Sequence, residues 1–402
     1  MKQNTTAKRN QKAVPKRHKN QIRHMAAKQR LTIGLDLGDR NSRYCILDEA
    51  GEVVSEGQLP TTKTGFRALF EKMPSSRVAL EVGTHSPWCS RHLAGMGHEV
   101  IVANPHKVKL ITQSTRKNDR IDAEQLARLA RVDPKLLSPI RHRGEEAQGD
   151  LAVIRARAEL VEARTGLINC ARGLVKPMGE RLKKCDADQV GESLLGGLSA
   201  KVGTVVGPLL KSVEGLNEQI AEYDRRIEAV AQRYPEVELL TQVYGVGILI
   251  ALTFVLTIED AERFAHSRDV GAYLGLVPKQ RDSGDSQPQL GISKSGDRLM
   301  RSLLVQGAHC ILRKGAPDSD LRAWGMARLE SGDNQVQQPS GGKKAKQQKS
   351  GSKRGKRRTI VAVARKLAVL LHRLWVTGEV YDPLYNRKAA MQAGKGQAKV
   401  AA

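Results

Sequence analysis

The spacing of apolar and polar positions predicts alternating strands and helices in the first ordered stretch of the chain. Short apolar-rich runs between polar turns indicate strands, and apolar positions three or four residues apart indicate helices. The first three strands can form an antiparallel meander, and Thr61 or Thr62 is the expected N-cap of the first helix. The order predicts a mixed sheet with helices on its faces, a three-layer α/β domain over residues 31–145. The predicted elements are strands 31–37, 43–47 and 52–58, helix 61–72, strand 77–82, helix 87–96, strand 100–103 and helix 121–131.

Residues 146–235 have an almost wholly helical composition with two apolar seams. The stronger seam alternates steps of four and three over three heptads, and a weaker seam precedes it. We predict two long helices, joined by a Gly-rich loop at residues 191–203, that form an antiparallel coiled coil. A plain intramolecular hairpin and an oligomerisation or spacer arm both fit this pattern. The stronger seam consists of Leu209, Val213, Leu216, Ile220, Tyr223, Ile227 and Val230, and the weaker one of Ile154, Ala158, Val161, Thr165 and Ile168.

The sequence of residues 236–330 predicts a compact all-α domain. Gly245 and Gly247 near its start resemble a helix-hairpin-helix turn, in which glycines let backbone amides approach a phosphate. Tyr244 stands where proline is common in such turns, and a packed helix turn fits equally well. Beyond this domain we predict a basic low-complexity linker at 331–358, a helix at 359–380 that docks back onto the domain, and a disordered tail at 381–402.

The charge of the chain points to a polyanionic partner. The formal net charge is +25 and the pI is about 10.0, which favours nucleic acid. Residues 1–30 contain ten Lys or Arg and residues 335–358 contain nine, and neither stretch contains an acid. We predict that residues 1–30 form a disordered basic arm, either a contact to nucleic-acid backbones or a solubilising tail. Aromatic residues make up only 3% of the chain, so base stacking is not the expected main mode of binding.

Cysteine usage and the N-terminus indicate a cytoplasmic protein. The five cysteines are odd in number and form no C-x-x-C pair, which argues against a disulfide framework or a zinc site. The basic N-terminus lacks the apolar region of a secretory signal, and no apolar run is long enough to span a bilayer. We therefore expect a cytoplasmic, nucleoid-associated location and no membrane contact.

Four acidic residues carry the candidate chemistry. Asp36 lies in the first strand, shortly before Gly38, and Glu81 ends a later strand. Asp119 and Asp122 are three residues apart, so they share one face at the start of a helix. Neighbouring strands bring their ends within about 5 Å. Converging carboxylates repel each other without a cation, so we predict a site for two Mg²⁺ ions about 4 Å apart that clamps a scissile phosphate.

Three of the four acids also have a purely structural explanation. Asp36 could form a turn, Asp119 could cap its helix, and Asp122 could be a first-turn acid favoured by the helix dipole. Their joint occurrence in this order on an α/β pattern favours the metal site. His85, four residues after Glu81, could approach the ions, although a surface or core histidine is the commoner case.

The four acids, with Asn104-Pro105 between them, resemble those of DEDD transposases and recombinases of the insertion-sequence-110 type. That family includes the Piv-type DNA invertases and the bridge-RNA-guided recombinases. The similarity extends over roughly residues 31–378, and the basic arm and the Lys-rich insert are longer than the family leads us to expect. The matching motifs are Lys117-x-Asp-x-x-Asp122-Ala, Gly245-Val-Gly247, Arg263-Phe-Ala-His266, Gly275-Leu-Val-Pro278, Ser283-Gly284 and Ile292-Ser-Lys294-x-Gly296-x-x-x-x-Arg301.

The resemblance implies a ribonuclease-H-like (RuvC-like) nuclease domain joined by a coiled coil to a second catalytic domain. In such proteins the acids bind Mg²⁺ and a serine of the second domain attacks DNA. The matching serine is Ser283, with Ser286 in reserve, and attack would give a covalent phosphoserine. Without the resemblance Ser283 is an ordinary loop serine, and its hydroxyl would need deprotonation or metal activation.

The resemblance also implies partners. These are donor and target DNA, a noncoding guide RNA, and further copies of the chain in a dimer or tetramer. Arg116, Lys117 and Asn118 are expected to contact the strand being cut. Lys294, Arg298 and Arg301 either hold phosphates or form a solvated helix face. The competing functions are a metal-only Holliday-junction nuclease, a Piv-like DNA invertase and a non-catalytic nucleic-acid-binding protein.

Overall fold

The computed structural model describes residues 31–104, 119–281, 283, 290–331 and 353–388. The chain divides into a first compact unit, residues 1–145, and a second, residues 146–402. The predicted basic arm and most of the predicted linker lie outside the described residues. Within the part of the chain that is described, no helix combines the length and the apolar character needed to cross a bilayer.

The first unit is a five-stranded mixed sheet with helices on both faces, which confirms the predicted α/β architecture. The strand order is β3-β2-β1-β4-β5, where β1 to β3 form the predicted antiparallel meander and β4 and β5 run parallel to β1. Such a sheet is consistent with the ribonuclease-H-like domain that the resemblance implies. The strands are β1 (Thr32–Asp36), β2 (Asn41–Leu47), β3 (Val53–Pro60), β4 (Arg77–Glu81) and β5 (Glu99–Ala103), and the helices are α1 (Lys63–Phe70), α2 (Ser86–Gly95) and α3 (Asp119–Val132).

The two faces of the sheet carry different helices. Ile33, Leu35 and Leu80 face α1 and α2, where they pack with Phe66 and Phe70 in one buried cluster. Since side chains alternate along a strand, the intervening positions face the opposite way. That second face is covered by α3, whose Leu126 and Ala130 pack in a cluster with Ala79 of β4.

Gly34 sets the distance between β1 and α3. A Cβ atom at this position would lie 1.9 Å from the carbonyl oxygen of Ala123 and 2.6 Å from the backbone nitrogen of Ala127. Only a residue without a side chain permits this approach. The backbone of α3 therefore packs directly on the middle of β1.

The second unit begins with a helical hairpin formed by α4 (Glu145–Val175) and α5 (Ala200–Ala231). Arg157 of α4 pairs with Asp224 of α5, and Arg164 of α4 donates a hydrogen bond to Asn217 of α5. The second contact lies seven residues later in α4 but seven residues earlier in α5. The two helices are therefore antiparallel. Both of these contacts lie in the middle of the hairpin, between two apolar clusters.

The hairpin differs from the prediction in its loop and in part of its seam. Helix α5 begins inside the predicted Gly-rich loop, because the Ser199 hydroxyl accepts a hydrogen bond from the amide of Val202 and so caps the helix. The predicted seam position Leu209 is only partly buried, whereas Leu210 is buried. The predicted coiled-coil packing stays a prediction. The buried residues of α5 are Val202, Val206, Leu210, Val213, Ile220, Ile227 and Ala231.

The rest of the second unit is a helical core. Helix α11 packs its apolar face against α9 and α10 and shares one buried cluster with α7. It begins at Lys353, so the end of the predicted linker is helical. Part of the predicted disordered tail is also ordered, because Arg387 pairs with Asp318 and Asp320. The helices are α6 (Glu236–Thr241), α7 (Ile248–Ile258), α8 (Val270–Tyr273), α9 (Arg298–Leu312), α10 (Asp320–Glu330) and α11 (Lys353–Thr377).

Candidate functional site

Asp36 and Glu81 end two neighbouring strands at the same edge of the sheet. Strands β1 and β4 are parallel and pair Leu35 with Leu80, and each acid is the next residue of its strand. Adjacent strands lie about 4.8 Å apart. The two carboxylates therefore stand side by side at the carboxyl ends of β1 and β4, and both residues are half-buried.

Both acids project on the face that α3 covers. Gly34 and Ala79 are paired across β1 and β4, and both lie against α3. Asp36 and Glu81 follow them by two residues in each strand, which returns each side chain to the same face.

The orientation of α3 brings its amino end toward these acids. The guanidinium of Arg77, at the start of β4, donates a hydrogen bond of 3.0 Å to the carbonyl oxygen of Ala130. The carboxyl end of α3 thus lies at the amino ends of the strands, and its amino end lies where Asp36 and Glu81 are. Asp122, in the first turn of α3, is half-buried. The side chain of Asp119 is outside the described residues.

The donor set fits a hard divalent cation. The candidate ligands are carboxylates, whose oxygens are the ligands that Mg²⁺ prefers. Among the side chains that the structure describes, no group of three or more His, Cys, Asp or Glu is arranged to hold an ion. The described part of the site therefore consists of two adjacent strand-end acids, with Asp122 on the helix that covers their face.

Arg43 borders the acids and was not among the site residues predicted from the sequence. It lies directly opposite Asp36 in the antiparallel pairing of β1 with β2. Residues opposite each other in a sheet have neighbouring side chains on the same face. The strand pairing of the meander was the signal that could have identified Arg43.

His85 lies in a polar contact between the loops that follow β1 and β4. Its Nδ1 atom accepts a hydrogen bond of 3.1 Å from the indole of Trp88, which can only donate. The neutral ring therefore carries its proton on Nε2, which is 3.4 Å from Oδ1 of Asp39. His85 has these two partners at the acid-bearing edge of the sheet.

Ser283 belongs to the second unit and lies in sequence between Lys279 and Gly291. Two backbone hydrogen bonds, from Lys279 to Gly291 (2.9 Å) and from Ser293 to Val277 (2.8 Å), join the segments on either side of it. Ser283 is four residues beyond Lys279 and is exposed. The reserve candidate, Ser286, lies outside the described residues.

Of the three predicted phosphate-binding cations, Arg301 is engaged with the backbone. Its Nη1 atom donates to the carbonyl oxygens of Leu274 (3.3 Å), Gly296 (3.1 Å) and Ser295. The guanidinium thus ties together two turns that are distant in sequence. Lys294 and Arg298 are exposed, and Lys294 has a positive φ of 58°.

The two glycines of the predicted phosphate-binding turn have different surroundings. Gly245 has a φ of +86°, and a Cβ atom there would lie 2.9 Å from the carbonyl oxygen of Gly307, so this residue packs against α9. Gly247 precedes α7 as its N-cap and has no atom within 4 Å of a built Cβ. The predicted contacts Arg116, Lys117 and Asn118 lie outside the described residues.

Comparison with known proteins adds to this geometry. A family model for transposases of the IS116/IS110/IS902 family matches residues 237–322, and a model for IS110-type DEDD transposases matches residues 33–178. A probable family 20 transposase of Pseudomonas aeruginosa is 30% identical over 72% of this chain and 87% of its own length. The chain belongs to the IS116/IS110/IS902 family of transposases. This transposase is an enzyme that acts on DNA.

Other relatives of this transposase cover most of the chain. The transposase for insertion sequence element IS1111A of Coxiella burnetii is 28% identical over 87% of this chain and 90% of its own length. The transposase for insertion sequence element IS1328 of Yersinia enterocolitica is 28% identical over 70% and 84% of the two lengths. The DEDD model spans the four acids, and the other model spans Ser283 and the cations near it.

Proposed function

We propose that this transposase cuts and rejoins the DNA of an insertion sequence in a Mg²⁺-dependent reaction that passes through a covalent Ser283–DNA intermediate. The observation that carries the proposal is the placement of Asp36 and Glu81 side by side on the face toward which the amino end of α3 points. The resemblance further supports guidance by a noncoding RNA and work as a dimer or tetramer in the cytoplasm, at the nucleoid.

Two Mg²⁺ ions would be held by the four acids Asp36, Glu81, Asp119 and Asp122. When bound, Mg²⁺ offsets the repulsion among the carboxylates and draws charge from the scissile phosphate. Arg43 lies opposite Asp36 and adds a fixed positive charge at the border of the site. Its position suits it to the phosphate of the strand being cut.

Ser283 would supply the nucleophile. Its Oγ bonds to the phosphorus and loses its proton, while the bond from the phosphorus to one bridging oxygen of the strand breaks and that oxygen takes up a proton. The phosphoserine keeps the energy of the broken bond for rejoining. The exposure of Ser283 suits it to reach a phosphate on duplex DNA.

The remaining site residues would position donor and target DNA. Arg116, Lys117 and Asn118 would contact the strand near the acids. The exposed Lys294 and Arg298 would contact phosphates near Ser283. Arg301 would act on that same surface by fixing the turn that carries Lys294. Gly247 would present backbone amides, and Gly245 would shape its turn.

The test is recombination of labelled DNA followed by denaturing gels. We expect Asp36→Asn and Ser283→Ala each to lower recombination by about 10³-fold or more, because each removes a group required in the reaction. We also expect the protein-linked DNA band to disappear in both variants and after chelation of Mg²⁺. Matched controls are Glu159→Gln and Ser331→Ala, two exposed residues of the second unit that should leave activity unchanged.

A metal-only nuclease is the second candidate, because the strand-end acids meet within the first unit independently of any serine. It predicts that Ser283→Ala retains strand cleavage and that no protein-linked band forms in either protein. Full recombination by Ser283→Ala would exclude the serine mechanism. A Piv-like invertase would use the same residues and differ in its product, an inverted segment.

A further inference from the structure

Helix α11 forms the second half of a long stretch without acidic residues. No Asp or Glu occurs between residues 334 and 378, whereas Lys and Arg occur twelve times. The face of α11 that carries Val363, Leu367 and Leu371 is buried in the core of the second unit. Among the cations of the helix whose side chains the structure describes, four are exposed (Lys356, Arg357, Arg365 and Lys366) and two are half-buried (Arg358 and Arg373).

Three cations of α11 lie on its outer face. Arg358 is half-buried, and Arg365 and Lys366 are exposed. Arg365 follows Arg358 by seven residues, close to two full turns, so the two side chains point to the same side. We call Arg358, Arg365 and Lys366 the α11 basic face.

Packing against neighbouring elements restrains two of these side chains. The aliphatic stem of Arg365 lies over α8, where its Cγ would be 3.0 Å from a Cβ built on Gly271. The ammonium of Lys366 stands 4.6 Å from the ring centroid of Trp324 in α10, and the guanidinium of Arg328 stands 5.2 Å from the same ring. Restrained side chains lose less entropy when they bind a ligand.

The approach of α10 to α11 depends on Gly325. A Cβ there would lie 2.7 Å from Cδ2 of Leu312 and 2.8 Å from Cγ2 of Val363, so a larger residue would crowd these two side chains. The neighbouring Trp324 is thereby held beside Lys366. The arrangement of cations is thus built into the packing of the core.

The three cations of the α11 basic face also differ from other cations of the second unit in whether they pair with acids. Arg157, Arg225 and Arg233 each pair with an acid. Within the described part of the chain, no ion pair joins Arg358, Arg365 or Lys366 to an acidic side chain. Unpaired cations can release the counterions of a polyanion without first breaking a bond.

We propose that the α11 basic face binds the phosphate backbone of duplex DNA. From Arg358 to Lys366 the helix advances about 12 Å at 1.5 Å per residue. One DNA strand places a phosphate every 3.4 Å along the duplex axis, so the face spans about three to four phosphates. Such contacts orient the duplex without reading its sequence. The proposal rests on the action of the enzyme on DNA and requires neither Ser283 nor the metal.

The experiment measures the salt dependence of binding between the full chain and a labelled 30-base-pair duplex, with EDTA present so that no catalysis occurs. The variant is Arg358→Gln, Arg365→Gln and Lys366→Gln combined. Each lost phosphate contact changes the slope of log K against log salt by about 0.9, so the slope should become less steep by about 2.7. The control combines Lys211→Gln, Arg225→Gln and Arg226→Gln on α5, where both arginines already pair with the carboxylate of Glu222.

The proposal would be overturned if the slope of log K against log salt for the triple variant lay within 0.5 of the slope for the unaltered protein. It would also be overturned if the slope changed by as much in the control variant. A parallel measurement on an RNA hairpin of equal length tests the alternative partner. If the triple variant lost affinity for the RNA hairpin alone, the proposal of DNA binding would also be overturned. Unchanged thermal unfolding shows that the triple variant is folded. If the triple variant does not fold, the three single variants are measured in its place, and the slope of log K against log salt should become less steep by about 0.9 in each. Loss of the serine mechanism would leave all these results unaffected.

Discussion

His372 shows how one buried side chain joins three segments of the second unit. Its Nε2 atom is 2.9 Å from the carbonyl oxygen of Ala261, which can only accept, so Nε2 carries the proton. Its Nδ1 atom is 3.0 Å from the Ser267 hydroxyl, which then donates to it. The ring is neutral in this arrangement, and burial lowers the pKa of His372 below its ordinary value.

We expect the free energy of unfolding to fall as the pH drops below about 6.5, the ordinary pKa of histidine. The pKa of His372 is lower in the folded state, so the unfolded chain binds the proton more readily and acid favours unfolding. Burial lowers the pKa of His98 in the first unit in the same direction. Denaturant unfolding at pH 7.5 and pH 5.5 measures the effect.

The variant His372→Gln isolates one of these contributions. It should lower stability at pH 7.5 by about 1–3 kcal/mol, because a buried hydrogen-bonded ring is lost, and it should reduce the difference between the two pH values. The exposed His309→Gln serves as the control and should change neither quantity. An undiminished pH difference in His372→Gln would assign the acid sensitivity to other groups.

Single residues differ in how far sequence determines their surroundings. The residues flanking Glu81 predict it at the end of its strand, whereas the sequence predicts Asp36 inside a strand of residues 31–37, and Asp36 instead ends β1. Arg301 could not be assigned, because the carbonyl of Leu274 to which it donates comes from a turn 27 residues earlier. Spacing identifies the face of a helix but not the distant backbone that meets it.

At the scale of elements, the contact between β1 and α3 controls the candidate site. Helix α3 carries Asp122 and β1 carries Asp36, and the lack of a side chain at Gly34 lets the two backbones meet. Any side chain at position 34 must displace α3, since backbone atoms rather than a flexible side chain occupy the space.

We therefore expect Gly34→Val to lower the stability of the first unit by about 3 kcal/mol or more and to abolish recombination. Gly95→Ala is the matched control, since a Cβ there meets nothing within 4 Å and should change stability by less than about 1 kcal/mol. Hydrogen exchange of the backbone amides of α3 measures the loss of the contact, and thermal unfolding measures the loss of stability. Normal exchange protection of α3 in Gly34→Val would contradict the role given to this contact.

Elements with a regular pattern were predictable, and those defined by long-range polar contacts were not. The five strands and the three helices of the first unit follow apolar spacing closely. The chain between α4 and α5 does not, because Asn217 of α5 donates to the carbonyls of Ala187, Asp188 and Val190 and so holds that connection in place. One asparagine in a helical seam gives no sequence signal for such contacts.

At the scale of the whole molecule, positive charge is concentrated in separate stretches of the sequence. Residues 1–30 hold ten Lys or Arg, residues 335–358 hold nine, and the α11 basic face extends the second group. For surfaces that contact the same polyanion independently, the numbers of phosphates they neutralise add. The contribution of each surface can then be measured by removing it.

Replacement of residues 1–30 by a Gly/Ser segment of equal length tests the basic arm. If the arm contacts DNA, the slope of log K against log salt becomes less steep by up to about 9, since each of ten cations contributes at most about 0.9. Combining this replacement with the α11 variant should give the sum of the two changes, because the surfaces act on separate phosphates. An arm that only keeps the protein in solution would leave the slope unchanged while lowering solubility. A combined change smaller than the sum would mean that the arm and the α11 basic face compete for the same phosphates.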